Sequence, residues 1–314
     1  IKTAENRNQK AKELLANCDA AGKTLAVDED DHYLIVSADD FCYTYDKLTG
    51  TFAKMVYKNQ NLLDRPMEYN IWRAPTDNDR NIKLEWMKAQ YDRIVTRAYE
   101  TKQHRTEKEV KIETVLSVSA IYIQRILDIQ VTWTVQADGT VDVEMDVKRN
   151  PIFPMLPRFG LRLFLPKEMK DVTYYGLGPV ESYVDKRRAS WHGEFSSPVT
   201  GLYEDYIRPQ ENGSHYDCDF VTLSSNAGHL LPERKTTLTA VSSQTFSFNA
   251  SVYTEEELTN KAHNYELEEC GSTVLCLDYR QNGIGSNSCG PQLLEKYRLD
   301  ETEFHFALRL KPEA

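Results

Sequence analysis

Short runs in which apolar and polar residues alternate dominate the chain, and they limit its fold more than any other feature. The first three runs lie at residues 32–37, 41–46 and 51–57. Successive side chains of a β-strand point to opposite faces of a sheet, so a period of two predicts strands with one buried face. Similar runs continue toward the C-terminus, at residues 110–119, 130–136, 141–148, 159–165, 173–175, 219–224, 235–240, 245–252, 272–280 and 303–310.

Helical spacing is confined to short pieces of the chain. We expect helices near residues 84–97 and 254–261, and the second begins with Thr254 and Glu257 at the spacing of a capping box. The turn at residues 137–140 predicts a hairpin between two strands. Because strands are many, helices few and no βαβ alternation is visible, the sequence predicts an all-β sandwich.

The first 25 residues differ from the rest of the chain. They contain helix-forming residues with a weak apolar stripe at Ala11, Leu14 and Leu15. This stripe offers too little apolar surface for an independent fold. We therefore interpret residues 1–25 as a linker or a severed end. The length of the chain allows one large β domain or two ordinary ones.

Composition excludes several classes of protein. Hydrophobic residues make up 40% of the chain and charged residues 27%, which is typical of folded rather than disordered chains. The 48 acidic residues outnumber the 38 basic ones, which argues against a nucleic-acid partner. No apolar run approaches the ~20 residues of a membrane span, so no membrane partner is expected. The six cysteines lack the spacing of zinc ligands and indicate small buried residues in a reducing compartment, the cytoplasm.

Four polar segments interrupt the strand pattern, at residues 70–80, 174–187, 206–215 and 278–291. In the first segment Asp77 and Asp79 flank Asn78, and their oxygens suit either a cation or sugar hydroxyl groups. The alternative is an Asx-rich turn whose side chains bond to its own backbone.

Two residues of the later segments have chemically reactive side chains but no visible partner. His215 has no obvious Ser or Cys nucleophile, so we interpret it as a solvated or hydrogen-bonded histidine. Cys289 has no His near it in sequence to activate its thiol, which argues against a catalytic nucleophile. The glycines of the second segment do not form a dinucleotide fingerprint, because a third glycine and a following helix are missing.

The order and spacing of the four segments resemble those of a known family. WRAPTDND at 72–79, YYGLGPVESYVDKRRASW at 174–191, YIRPQENGSH at 206–215 and GIGSNSCGP at 283–291 resemble the C-terminal domain of the large bacterial β-galactosidases of glycoside hydrolase family 2. In some of these enzymes the same region is a separate small chain. The resemblance covers residues 26–314 and implies a large antiparallel supersandwich similar to galactose mutarotase. It also implies that residues 1–25 end a preceding immunoglobulin-like domain.

The resemblance implies a reaction whose catalytic groups lie outside this chain. The family hydrolyses terminal β-galactosides such as lactose with retention, using two carboxyl groups ~5–5.5 Å apart. Both are glutamates of a TIM-barrel domain that precedes the present segment, and no Glu here matches either. We therefore expect no catalytic residue in this chain, an inactive isolated chain, and a partner that is the catalytic barrel domain or large chain. The family's Mg and Na ligands also lie on other domains, so no metal site or cofactor is expected here.

The resemblance also implies a contribution to the rim of the sugar site. A loop near the end of the family domain carries an aromatic residue, normally Trp, that stacks on the sugar. Cys289 stands at that position, so either a neighbouring aromatic substitutes or the subsite is more open. The family's mobile loop would begin at Arg80–Ile82, but the stretch before Trp86 is too short for a long lid. The substrate-binding residues implied are Asp77, Asn78, Asp79, Arg80, Asn287, Ser288 and Cys289.

This interpretation makes a geometric prediction and leaves two alternatives. The loops at 77–81 and 286–289 should approach each other on one exposed face, with Trp72 partly uncovered beside them. The alternatives are a stand-alone carbohydrate-binding module and an epimerase of the mutarotase type. The epimerase needs a His acid and a Glu base facing one sugar, and no such pair can be assigned from the sequence.

Overall fold

Two antiparallel sheets make up most of the molecule. The computed structural model describes residues 8–16, 24–225, 235–285 and 288–314. The smaller sheet has its five strands in chain order: β1 (Ala26–Glu29), β2 (Tyr33–Ala38), β3 (Phe41–Asp46), β4 (Thr51–Tyr57) and β5 (Gln60–Asn61). The larger sheet has twelve strands: β6 (Arg65–Asn70), β7 (Ile94–Arg105), β8 (Glu109–Ala120), β9 (Leu127–Gln136), β10 (Val141–Arg149), β11 (Arg158–Pro166), β12 (Met169–Gly178), β13 (Trp191–Pro198), β14 (His215–Ser225), β15 (Thr237–Ser251), β16 (Ser272–Gln281) and β17 (Glu303–Glu313).

The larger sheet divides at its longest strand, β15. Its main path runs β13-β12-β14-β15-β17-β10-β9-β8-β7. Residues 237–241 of β15 pair with β17, whereas residues 247–251 pair with β16, which continues to β11 and β6. This division brings the ends of β6, β12, β14 and β16, where the four polar segments begin or end, into one region.

A continuous apolar core lies between the small sheet and the large one. The ring of Phe52 on β4 packs edge-on against Trp133 on β9, with ring centroids 5.2 Å apart. Tyr43 on β3 donates a hydrogen bond to the carbonyl oxygen of Gly139, in the turn between β9 and β10. Gly139 has a φ of +87°, which glycine adopts without strain, and the predicted hairpin is present. The predicted all-β antiparallel sandwich is confirmed.

The three α-helices are short: α1 (Gln9–Ala16), α2 (Ile82–Lys88) and α3 (Glu255–Asn260). The cap of α3 is confirmed, because the Thr254 side chain accepts the backbone N–H of Glu257. The predicted helix at 84–97 is correct only through Lys88 and wrong beyond it. Residues from Ile94 begin β7, where β-branched side chains at 94–96 favour the extended conformation.

Helix α1 lies against the outer face of the large sheet. Its Ala11 is buried against Phe220 of β14 and Val241 of β15. The guanidinium of Arg309 on β17 donates to the carbonyl oxygens of Leu14 and Leu15, in the last turn of the helix. Part of the N-terminal segment is thus fixed to the β domain. The domain boundary at residue 26 stays a prediction.

Candidate functional site

The four segments that carry the family resemblance, 72–79, 174–191, 206–215 and 283–291, contact one another, and we call their meeting place the loop junction. The first and third are joined by a bond from the backbone N–H of Glu211 to the carbonyl of Ala74, 2.9 Å. The second and third are joined by a bond from the N–H of Ser182 to the carbonyl of Ser214, 2.7 Å. Segments far apart in sequence therefore share one region because each follows or precedes a strand that ends there.

Arg73 is the buried centre of the first segment. It forms a bidentate ion pair with Asp79, with Nε–Oδ2 and Nη2–Oδ1 distances of 3.2 and 2.9 Å. The same guanidinium donates to the carbonyl oxygens of Asn282 and Gly283, where the fourth segment begins. Asp79 also accepts the N–H of Thr76, so its carboxylate shapes the turn. Since all of these groups are buried, the charge of Asp79 is compensated inside the fold.

A second buried cluster lies beneath the third segment, around Arg158. Its guanidinium pairs with both oxygens of Asp278 and with Glu211 and Glu255, at 3.2 and 3.4 Å for the two glutamates. Arg162 also pairs with Glu255, at 2.7 Å. Arg162 also pairs with the half-exposed Glu68 and Glu256, so the carboxyl groups of this cluster outnumber its two guanidinium groups.

Burial sets the charge state of these carboxyl groups. Removal from water raises the pKa of Glu211 to about 7, although the Arg158 charge opposes the shift. Burial likewise raises the pKa of Asp278. Burial also acts on Glu255, but Arg162 and Arg158 outweigh it and lower the pKa of that group. Glu211 is therefore the member of the cluster that takes up a proton near neutral pH.

The second segment supplies two carboxylates that hold its neighbours. Glu181 accepts the hydroxyl of Tyr206 at 2.6 Å and the N–H of Gly213 at 2.8 Å, both in the third segment. Asp185 accepts the N–H groups of Ile284 and Gly285, in the fourth segment, at 3.0 and 2.8 Å. Each carboxylate thus links one loop to another.

His215 lies at the base of the junction and is hydrogen-bonded rather than solvated. It is buried between the rings of Tyr174 and Phe248, and its Nδ1 donates to the carbonyl of Leu177. Burial lowers its pKa to about 4, so the ring is neutral at pH 7. A buried ring in this position is not placed to exchange protons with a bound sugar.

The predicted approach of the first and fourth segments is confirmed at one contact. The hydroxyl of Ser288 lies 3.3 Å from Oδ1 of Asn78, and both belong to the predicted rim. Asp77, Asn78 and Arg80 are exposed, as is Cys289, whereas Asp79 is buried. Asn287 lies outside the described residues. That these groups contact a sugar stays a prediction.

The expected exposure of Trp72 is wrong. The side chain is only 3% exposed, and its Nε1 donates to the hydroxyl of Thr259 on α3. Its ring packs edge-on against Trp86 of α2, with centroids 6.5 Å apart. The two short helices cover the indole, so its face is not exposed for stacking on a sugar.

A pocket of about 250 Å³ adjoins the junction between α2 and the start of the fourth segment. It is lined by Asn81, Ile82, Glu85, Met155, Asn282, Gln292, Leu293 and Arg298.

Among the described residues, no three His, Cys, Asp or Glu side chains are grouped so that they suit a metal ion. In the same part of the chain, no helix combines the length and apolar character that crossing a bilayer requires.

The residues that hold the junction together are not among those that the sequence motifs indicate. Arg158, Glu255 and Asp278 lie outside the expected set of site residues, although Asp278 interrupts the apolar run of β16 and Arg158 begins the apolar run of β11. A charged residue inside such a run is a signal of a buried, paired charge.

Comparisons with known proteins agree with these features. The family model described as "Beta galactosidase small chain" matches residues 37–310. The chain is 42% identical over 281 residues to a β-galactosidase of Actinobacillus pleuropneumoniae, covering 90% of this chain and 27% of that protein. It is 40% identical over 269 residues to a β-galactosidase of Staphylococcus xylosus, covering 86% of this chain and 26% of that protein. The chain thus spans about a quarter of the length of the curated relatives it matches.

Solved structures with a similar course of the chain have much lower identity. A galactose mutarotase-like protein from Lactobacillus casei superposes with a TM-score of 0.47 at 11% identity, covering 92% of this chain and all of that one. A putative aldose 1-epimerase from Escherichia coli K12 gives a TM-score of 0.43 at 9% identity, covering 93% and 99%. Neither likeness carries a functional conclusion. On the match that spans residues 37–310, the chain belongs to the β-galactosidase small-chain family.

Proposed function

We propose that this chain is the non-catalytic end of a retaining β-galactosidase, where it completes the rim of the sugar site. The observation that carries the proposal is the contact between Asn78 and Ser288, which brings the two rim loops together as the family resemblance requires. The catalytic glutamates belong to a barrel outside this chain. The function of the chain is to position binding groups and to complete the domain assembly.

The proposed sugar contacts are polar side chains at the exposed edge of the loop junction. Carboxylate, amide and guanidinium groups bind neighbouring hydroxyls of a sugar such as the galactosyl unit of lactose. Asp77, Asn78 and Arg80 face solvent and have this chemistry, with Ser288 and Cys289 on the opposing loop. Asn287, outside the described residues, is included on the family resemblance alone. The contribution of Asp79 is to hold the turn from below, because Arg73 and Thr76 occupy its oxygens.

The proposed partner is the catalytic barrel domain or large chain of the same enzyme. Exposed apolar side chains lie within the second and third segments, at Val180, Trp191 and Ile207. Others lie a few residues beyond the first and fourth, at Leu84, Met87 and Leu294. Exposed apolar side chains grouped around a polar site are typical of an interface that another domain covers. The short length of the chain relative to its relatives supports the same partner.

The proposal also covers the location of the enzyme and its metals. A cytoplasmic enzyme is supported by free thiols at Cys42, Cys218, Cys270, Cys276 and Cys289, the cysteines among the described residues. The assignment of Mg and Na to other domains rests on the family resemblance alone.

Three measurements on the purified chain test the proposal. We expect no hydrolysis of a chromogenic β-galactoside, and turnover that survives rigorous removal of host enzyme would contradict the absence of catalytic groups. Titration calorimetry with lactose and galactose should show no binding by the chain alone, whereas measurable binding favours a carbohydrate-binding module. Polarimetry of galactose should show no accelerated mutarotation, whereas acceleration favours the epimerase.

A further inference from the structure

The backbone of residues 282–285 is hydrogen-bonded at all four N–H groups and at the carbonyls of Asn282 and Gly283. The N–H groups of Asn282 and Gly283 donate to the carbonyls of Pro157 and Tyr297, at 2.9 and 2.8 Å. Their own carbonyls accept from Arg73. The N–H groups of Ile284 and Gly285 both donate to the carboxylate of Asp185. Loss of this carboxylate would therefore free one end of a stretch that is otherwise fixed.

Asp185 is placed for this contact by a tight turn of the second segment. The backbone groups of Tyr183 and Lys186 bond to each other on either side of it, and Tyr183 and Val184 are buried. Oδ1 accepts the N–H of Ile284 and Oδ2 accepts that of Gly285, so both oxygens are used. Hydrogen bonds to an ionised carboxylate are roughly twice as strong as neutral ones.

The close approach of Asp185 explains the two glycines of the GIG sequence. A Cβ at position 283 would lie 2.7 Å from Oδ2 of Asp185, and one at position 285 would lie 3.0 Å from the same oxygen. A side chain at 283 would push the carboxylate away from the N–H groups it accepts. By contrast, a Cβ at position 290, in the same segment, has no atom within 4 Å.

We propose that Asp185 is a positioning residue for the sugar rim: its two oxygens fix the backbone at 284–285 and so favour the placement of Ser288, three residues further on, beside Asn78. Arg73 donates to the carbonyls of Asn282 and Gly283, and Asp185 accepts the N–H groups of the next two residues. The proposal rests on the proposed function, because it assigns Asp185 an effect on galactoside binding without a contact to the sugar.

The test uses the intact enzyme that contains this chain. Asp185→Asn keeps the shape of the side chain, but its amide nitrogen cannot accept a hydrogen bond, so at most one of the two bonds survives. We expect hydrogen exchange at the Ile284 and Gly285 amides to accelerate on the order of tenfold. The KM for a nitrophenyl β-galactoside should rise about tenfold, with a smaller change in kcat, because Asp185 touches no reacting atom.

Two glycine variants provide the matched comparison. Gly283→Ala should reproduce both effects, since its Cβ displaces the Asp185 carboxylate, whereas Gly290→Ala should change neither. In the double variant with Asp185→Asn, the Gly283→Ala effect should be less than additive. Thermal unfolding of each variant separates a local effect from loss of the fold.

The outcomes distinguish this proposal from the function on which it rests. Unchanged amide exchange in Asp185→Asn would overturn the positioning role and leave the proposed function intact. Faster exchange with unchanged KM would mean that the loop does not border the sugar, which would overturn both. An equal effect of Gly290→Ala and Gly283→Ala would also overturn the role of Asp185.

Discussion

At the scale of single residues, Glu211 is a buried carboxyl group that changes charge near neutral pH. It faces Arg158, Arg73 and Glu255, and burial raises its pKa to about 7. An ordinary glutamate in the unfolded chain titrates near 4.5. Between these two values the folded protein binds a proton that the unfolded chain has lost. The contribution of Glu211 to stability therefore falls as the pH rises from about 4.5 to about 7.

Glu211→Gln should remove this dependence while keeping a group of the same shape against Arg158. The free energy of unfolding of the variant, relative to the native chain, should increase from pH 4.5 to pH 7 and then level off. Urea unfolding at several pH values measures this difference. A difference that is flat, or that decreases toward pH 7, would contradict the protonated state of the buried carboxyl group.

His215 affects the free energy of unfolding in the opposite direction, at acidic pH. Its pKa is lowered from 6.5 to about 4, so the unfolded chain binds the extra proton in this interval. The stability that His215 provides is present above pH 6.5 and is lost as the pH falls toward 4. His215→Phe keeps the ring packing and should lose this acid-side decline, measured by the same unfolding series. A decline of the same size in the variant would assign it to other groups.

Residue contacts were predictable only in part from the sequence. The approach of Asn78 and Ser288 followed from matching four segments to a family, not from spacing. The pairing of Arg158 with Asp278 was not predictable, because alternation indicates which face of a strand is buried but not which buried charge meets which. Trp72 was expected at the surface because the sequence does not show that α2 and α3 close over it.

At the scale of elements, the strands with one buried face were predicted well and the edge strands were missed. β7 and β13 lie at the two ends of the main path of the large sheet, where no strand of the described residues pairs with their outer edges. β7 therefore carries many charged and polar residues and ends in Glu-Thr-Lys-Gln-His-Arg. These residues interrupt the alternation of apolar and polar side chains by which the other strands are recognised. The first residues of β7 instead continued the helical spacing of α2, which produced the wrong helix boundary.

The cap of α3 gives a prediction at this scale. Thr254→Ala removes the acceptor for the N–H of Glu257 and should lower the free energy of unfolding by about 1 kcal/mol. Thr254→Ser keeps the hydroxyl and should lose much less. Chemical denaturation of the three proteins measures both values. Equal losses in the two variants would show that the hydroxyl bond does not stabilise the helix.

At the scale of the whole molecule, the loop junction is where the strand order of the large sheet and the four polar segments converge. Its buried ion pairs fix the loops from below, while Asp77, Asn78 and Arg80 are exposed above. The exposed apolar residues beside it predict a covered surface in the complete enzyme. Among them Ile207 is 78% exposed, and the matched Ile121, in the turn between β8 and β9 outside the junction, is 64% exposed.

Ile207→Asp should therefore weaken binding of this chain to the remainder of its enzyme, because it places a charge in an apolar contact. We expect an increase in Kd of at least about tenfold, measured by titration of one part into the other. Ile121→Asp introduces the same change at another highly exposed isoleucine and should leave the Kd unaltered. Equal effects of the two substitutions would place the interface elsewhere.

The most direct test of the account is complementation. The remainder of the enzyme, prepared without this chain, is mixed with the purified chain, and hydrolysis of a chromogenic β-galactoside is followed. The account predicts that neither part alone turns over substrate, that the mixture does, and that Ile207→Asp weakens the recovery while Ile121→Asp does not. Full activity of the remainder alone, or turnover by this chain alone, would contradict the claim that the chain completes a β-galactosidase whose catalytic groups lie elsewhere.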